Sequence, residues 1–159
     1  MRRLGGLWAA VLILGASALG GCKRNSATPA TAPAASREVT SRGSVEVTAT
    51  LVEIPGTFPP NKLYDYMYVL KYRVLKVHRG QAPSERIYVA HYNPLKARSE
   101  AADKFVKDVG GNVTGFVAGQ THRMAMEPSL DTYMGGIIDK YFGQPGTRYV
   151  ALWTDYDQP

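Results

Sequence analysis

One cysteine in 159 residues leaves no partner for an intrachain disulfide and too few thiolates for a structural zinc site. The 16 glycines and 10 prolines fall far short of collagen, and a 45% hydrophobic share is too high for a wholly disordered chain. No apolar run approaches the roughly 20 residues of a membrane-spanning helix. The longest, Leu7 to Leu19, counts 13 residues and contains Gly15 and Ser17. No serine sits in a Gly-x-Ser-x-Gly elbow. Gly110-Gly111, Gly135-Gly136 and Gly143 lack the following Lys-Ser or Lys-Thr of a phosphate loop. These absences leave one globular domain whose sequence spells out no reaction.

The first 21 residues are the most informative. Arg2 and Arg3 precede the apolar run, and small residues follow it, which is the order of a secretory signal. Leu4-Gly5-Gly6 does not continue the twin-arginine pattern, so general secretion is expected. The run ends in Leu19-Gly20-Gly21-Cys22, which resembles the lipobox of bacterial lipoproteins. The resemblance implies a cleaved signal peptide over 1–21 and palmitate-type acylation of Cys22, which becomes the new N-terminus. Such a protein is anchored to the membrane without spanning it, because each buried methylene of the acyl chains adds on the order of 0.8 kcal/mol. Lys23, where an Asp would signal retention, implies release to the outer membrane in a Gram-negative cell.

Charge placement decides what the basic pI of about 9.5 means. Without Arg2 and Arg3, 17 of the 19 basic side chains face 13 acidic ones. Four of the 17 (Lys23, Arg24, Arg37, Arg42), against the single Glu38, lie before Ser44, so the remainder is nearly neutral. A nucleic-acid module needs a concentrated basic face, and no nucleic-acid partner is expected. Lys23 and Arg24 adjoin the lipid, where each gains roughly 1 kcal/mol from anionic head groups. Asn25 to Ser36 is Ala, Thr, Ser and Pro with nothing to bury. The stretch 22–43 therefore reads as an acylated Cys followed by a flexible tether, with a reach of about 25 Å as a coil. Residues 44–159 form the domain.

Within the domain the dominant period is two. Val45, Val47, Ala49 and Leu51 alternate with polar residues, and the apolar parity switches at Val52 and Ile54. The next run, Tyr64 to His78, alternates through Leu70, Tyr72 and Val74 before Leu75 and Val77 take over. Such a flip is what a β-bulge produces. Arg86 to Tyr92 forms a third strand that Pro94 ends. Arg98 to Val109, with Ala101, Ala102, Phe105, Val106 and Val109 at helical spacing, predicts an amphipathic helix stopped by Gly110-Gly111. His122 to Met126 and Arg148 to Thr154 are further strands, the latter with Tyr149, Ala151 and Trp153 on one side. Between them, 130–142 is expected to be a short helix or an ordered insertion.

Five strands with a helix between the third and fourth resemble a small OB-type β-barrel, a mainly β fold. Tyr72-Arg73-Val74-Leu75-Lys76-Val77-His78-Arg79-Gly80, Arg86-Ile87-Tyr88-Val89 and Phe116-Val117-Ala118-Gly119 resemble the netrin-like branch of that fold, although netrin-like domains usually carry disulfides and this domain carries none. With Val89-Ala90-His91-Tyr92, the same phrases are similar to uncharacterised exported proteins that accompany polysaccharide O-acetylation machinery. That likeness implies a cell-envelope setting and assigns no residue a role.

Candidate chemistry is sparse. His78, His91 and His122 fall on or near three strands and would bind a metal only if they met in space. Solvent exposure for His78 and an inner position for His91 are expected instead, with no metal and no cofactor. Ser129, His122 and Asp131 are too close in sequence to imply a triad. Glu127, Asp131 and Asp139 read as solvated carboxylates. The aromatics say more. Tyr64, Tyr66 and Tyr68 share one face of the long strand, while Tyr133, Met134, Tyr141 and Phe142 form a second apolar group in the insertion. Tyr64, Tyr66, Tyr68, Tyr133, Tyr141 and Phe142 are therefore candidate binding residues, weighed against filling of the barrel. The expectation is a non-catalytic, lipid-anchored envelope module that engages an envelope protein complex or polysaccharide. The alternative is an accessory or weak hydrolase in envelope polysaccharide modification.

Overall fold

A computed structural model describes residues 37–62, 64–83, 85–128, 130–131, 133 and 135–157. The signal, Cys22 and the stretch to Ser36 lie outside the described residues, as do Ser129 and Met134. The strands are β1 (Val45–Glu53), β2 (Tyr66–Arg79), β3 (Ile87–Tyr92), β4 (Gly110–Gly111), β5 (Thr121–Pro128), β6 (Gly136–Ile138) and β7 (Arg148–Tyr156). A five-residue helix, α1 (Arg37–Ser41), precedes them. Residues 37–43, read from the sequence as the end of the tether, thus begin the ordered body, with Val39 fully buried.

Five strands close a ring. β1 pairs antiparallel with β2 and β5, β5 with β7, and β2 with β3. A parallel pairing of β3 with β7 completes it. The order β1-β2-β3-β7-β5 is that of an OB-type barrel. Two short strands extend the ring where ring strands part. β4 continues beside β7 beyond the reach of β3, and β6 runs parallel to the first residues of β2, before β1 joins.

Bulges bend the ring, at positions where the apolar parity switches in sequence. β1 skips Val52 against β2, and β2 skips Leu75 and His78 against β1. A skipped residue turns out of the ladder, so Val52 and Leu75 are 49% and 54% exposed despite their apolar side chains. A further bulge in β7, at Leu152, departs from the sequence expectation. It turns Trp153 away from the face of Tyr149 and Ala151, to stack outside under the Arg42 guanidinium and over Gly110.

The barrel interior is filled by Val47, Ala49, Leu51, Leu70, Val89, Met124 and Met126, among others. A second apolar cluster (Met67, Val69, Tyr88, Ala90, Tyr92, Val150) lies on the other parity of β2, β3 and β7. Segments 101–109 and 130–141 cover it, which is why every residue of β3 is buried. The helix expected over Arg98 to Val109 is reduced to one 3₁₀ turn, Arg98–Glu100. Asp103 explains the loss. Its carboxylate accepts the backbone N–H of Phe105 and Val106 at 2.8 Å, and its own N–H donates forward to the carbonyl of Val106, so the local bonds compete with a helical ladder. Phe105 is left 77% exposed.

Candidate functional site

The inward positions of β2 are Tyr66, Tyr68, Leu70, Tyr72 and Val74, and their hydroxyls have different destinations. Tyr66 donates to the carbonyl of Pro59 and Tyr68 to that of Pro55, each at 2.6 Å, which fastens the loop after β1 over one end of the barrel. Tyr72 lies deeper. Its oxygen is 3.1 Å from Nε2 of His91 on β3 and 3.1 Å from Nδ1 of His122 on β5. All three side chains are fully buried. Phe116 packs on both imidazoles, with ring centroids 4.4 Å from His91 and 5.7 Å from His122.

A hydroxyl has one proton to donate, so both contacts use its bonding capacity in full only when one imidazole accepts and the other donates. One imidazole accepts the Tyr72 proton, and the other donates its N–H to the Tyr72 oxygen. The far nitrogens, Nδ1 of His91 and Nε2 of His122, have no partner among the described residues. Whichever way the hydroxyl points, one of these ends is then an N–H and the other a bare lone pair. The row His91–Tyr72–His122 is a three-membered hydrogen-bonded relay, and exchanging its two neutral arrangements takes one step of each shared proton together with loss of the proton on one far nitrogen and gain of one on the other.

Burial holds the relay neutral. It pushes the His91 imidazole well below its ordinary range, with the Arg98 charge and His122 adding to the effect, and takes His122 down to about 4. Burial likewise raises the Tyr72 phenol, partly opposed by Arg98. Arg98, which is 2% exposed, lies over Phe116 and donates to the carbonyls of Tyr92, Asn93 and Lys96. Burial lowers its guanidinium to about 10. These bonds tie down the chain reversal after β3, where Asn93 adopts a left-handed φ of 46°. The row can share protons along its two hydrogen bonds.

The candidates from the sequence separate by exposure. Tyr66, Tyr68 and Tyr141 are buried, Tyr141 against Tyr88 at 4.9 Å, so these rings present no surface to a partner. Tyr133 is half-buried against Tyr92. Tyr64 is 66% exposed, edge-on to Tyr66, and Phe142 is 89% exposed. Phe142 borders a shallow groove with Leu130, Asp131, Asp139, Thr147 and Arg148. Arg148 holds this region in place by donating to Asp139 at 3.0 Å and to the carbonyls of Tyr141, Gln144 and Gly146.

His91 and His122 meet through Tyr72, and His78 stands apart. It is bonded to Thr48 at 2.9 Å near Asp157 and is lowered by partial burial, with Arg123 and Lys76 helping and Glu46 and Asp157 opposing. Asp131 is exposed while His122 is enclosed. Among the described residues, no group of three or more His, Cys, Asp or Glu could hold a metal ion. Tyr72, Phe116 and Arg98 were not singled out from sequence. Tyr72 shares parity with Tyr66 and Tyr68 and was legible as an inward residue, whereas nothing local marks Arg98 as buried.

These features define a mainly β protein with a closed, five-stranded barrel of OB type and a polar relay in its core. No family model, no curated protein and no solved structure matches the chain.

Proposed function

We propose that this protein is a lipid-anchored module of the bacterial cell envelope that works by binding, without catalysis. Acylation at Cys22 would hold it on a membrane, the outer one in a Gram-negative cell, and the tether would let the barrel reach an envelope protein complex or, as second choice, a polysaccharide. The observation that carries the binding reading is Phe142: a large ring left 89% exposed on a segment that Arg148 ties down with four hydrogen bonds. Ordering an apolar side chain in solvent gains nothing for the fold, whereas a rigid aromatic supplies contact area at low entropic cost. Tyr64 is a second exposed ring of the same kind. A weak or accessory hydrolase that drew on His91 and His122 would find both enclosed behind Tyr72 and Phe116.

The test is in-cell cross-linking followed by pull-down of the intact lipoprotein, with Phe142→Ala and Tyr64→Ala variants whose folding is checked by circular dichroism. A protein or glycan recovered with the parent and lost with either variant is the expected result. Equal recovery by parent and both variants would overturn the assignment of these rings.

A further inference from the structure

The outer surface of β2 beyond Tyr72 carries a compact mixture of cations and aliphatic side chains. Arg73, Lys76 and Arg86 make no ion pair among the described residues, whereas Lys71 is matched to Glu53 at 2.6 Å. Around them Val52 and Leu75 are 49% and 54% exposed. Val52, Arg73 and Arg86 line one groove with Lys71, Val74 and Glu85. In the ladder Arg73 lies opposite Thr50 and Lys76 opposite Thr48, so Leu75, turned out at its bulge, projects between the two free cations. Arg73 to Arg79 are hydrogen-bonded to β1 on one side and to no strand on the other. A bulge flanked by charges disfavours addition of a further strand, so a peptide laid along this edge fits poorly.

The position of this surface relative to the tether favours a different occupant. At the end of β2, Arg79 donates to the carbonyls of Val39, Thr40 and Arg42, clamping α1 to the barrel. The chain that runs back to Cys22 therefore leaves the barrel beside Arg79, about 13 Å along the strand from Leu75. A tether of the composition of residues 23–36 has a reach of about 20 Å as a coil. If Cys22 is acylated, the barrel would be held within about one tether length of the lipid.

We propose that the distal outer face of β2, formed by Arg73, Leu75 and Lys76 with Val52 and Arg86 beside it, docks on an anionic lipid surface. The inference rests on the lipid-anchored reading. Cations gain from anionic head groups, the aliphatic side chains enter the interface, and the tether supplies the local concentration that a small surface needs. Docking would fix which side of the barrel faces away from the membrane.

The experiment uses the full lipoprotein reconstituted into vesicles. With Cys22 acylated, Leu75→Cys supplies the one free thiol for an NBD label, and Phe105→Cys supplies a control site on the loop whose Asp103 bonds Tyr92, at the other end of β2. On phosphatidylcholine vesicles with about a third phosphatidylglycerol, the label at 75 is expected to shift to the blue. Its quenching by dithionite should slow at least roughly fivefold relative to the label at 105. The protection should fade on pure phosphatidylcholine or in high salt. Adding Arg73→Glu and Lys76→Glu should abolish it, since each lost cation weakens docking by roughly fivefold. Equal quenching at 75 and 105 while the protein still floats with the vesicles would refute docking and leave the anchor intact. Failure to float would instead refute the anchor. Protection in native membranes that is absent from protein-free vesicles would overturn the lipid assignment in favour of a protein partner.

Discussion

Acid should unfold this barrel in a pH window that the relay sets. His122 is enclosed and neutral, with its imidazole lowered by burial to about 4 against an ordinary 6.5. Between these values the unfolded chain binds more protons than the folded one, so stability falls as pH falls. The contribution is fully present above about pH 7 and is lost progressively from 6.5 down through 4. For one such group the loss between pH 7.5 and pH 5 is about 2 kcal/mol, approaching about 3 below pH 4. His91 is shifted in the same direction, and its protonation beside the Arg98 charge adds to the loss. Asp103, held at about 2 against its burial by the Tyr92 hydroxyl and the N–H groups of Val106 and Phe105, destabilises only below about pH 4, outside the window. The assay is urea unfolding followed by tryptophan fluorescence at pH 7.5, 6 and 5. With a slope of about 2 kcal/mol/M, the midpoint should fall by about 1 M or more. A parallel His78→Asn series removes the half-exposed imidazole, and the pH dependence should persist. An unchanged midpoint across the window, or an NMR titration placing His122 near 6.5, would refute the reasoning.

Tyr72→Phe removes the hydroxyl that both imidazoles use, leaving Nε2 of His91 and Nδ1 of His122 without partners. A loss of about 2–4 kcal/mol is expected by thermal or urea unfolding. Nitrogen-15 NMR of the parent should show the two imidazoles in complementary roles towards Tyr72, one accepting and one donating. Arg98→Ala strands the carbonyls of Tyr92, Asn93 and Lys96 and empties the space over Phe116, so at least about 3 kcal/mol should be lost, with hydrogen exchange accelerating first in 93–98. At Gly111, φ is +133° and a Cβ would lie 1.9 Å from the carbonyl oxygen of Thr154. Gly111→Ala should therefore break the β4–β7 pairing and lower the melting temperature, whereas Gly143→Ala, which meets nothing, should not. Phe142→Ala should leave stability within about 0.5 kcal/mol of the parent, because an exposed ring contributes little to the core, while removing the cross-linked partner.

Much of the barrel was legible because strands announce themselves by alternation. The parity switch at Leu75 is local enough to predict the bulge of the long strand, whereas the switch at Val52 marks a change of face whose bulge only the pairing with β2 shows. Trp153 departs from the face its spacing predicts because the bulge at Leu152 is imposed by the pairing of β7 with β5, a partner distant in sequence. The helix over 98–109 failed for a similar reason. Its apolar spacing suits a helix and a loop lying on the outer cluster equally well, and Asp103 tips the choice through bonds that only the folded segment makes. Tyr66 and Tyr68 have the same period as Tyr64, and alternation alone cannot tell a covered face from an open one.

By itself the sequence determined what depends on neighbours in the chain: strand periodicity, the bulge in the long strand and the near-neutral charge of the domain, while its first 43 residues motivate the proposal of an anchored protein. Only the tertiary structure decided what depends on ring closure. It joined β3 and β5 through Tyr72, so that two histidines 31 positions apart share one hydroxyl. It enclosed Arg98 without a carboxylate and left Phe142 in the open. Closure brings together residues whose separation in sequence carries no signal, and burial, which sets their protonation, follows only from that closure.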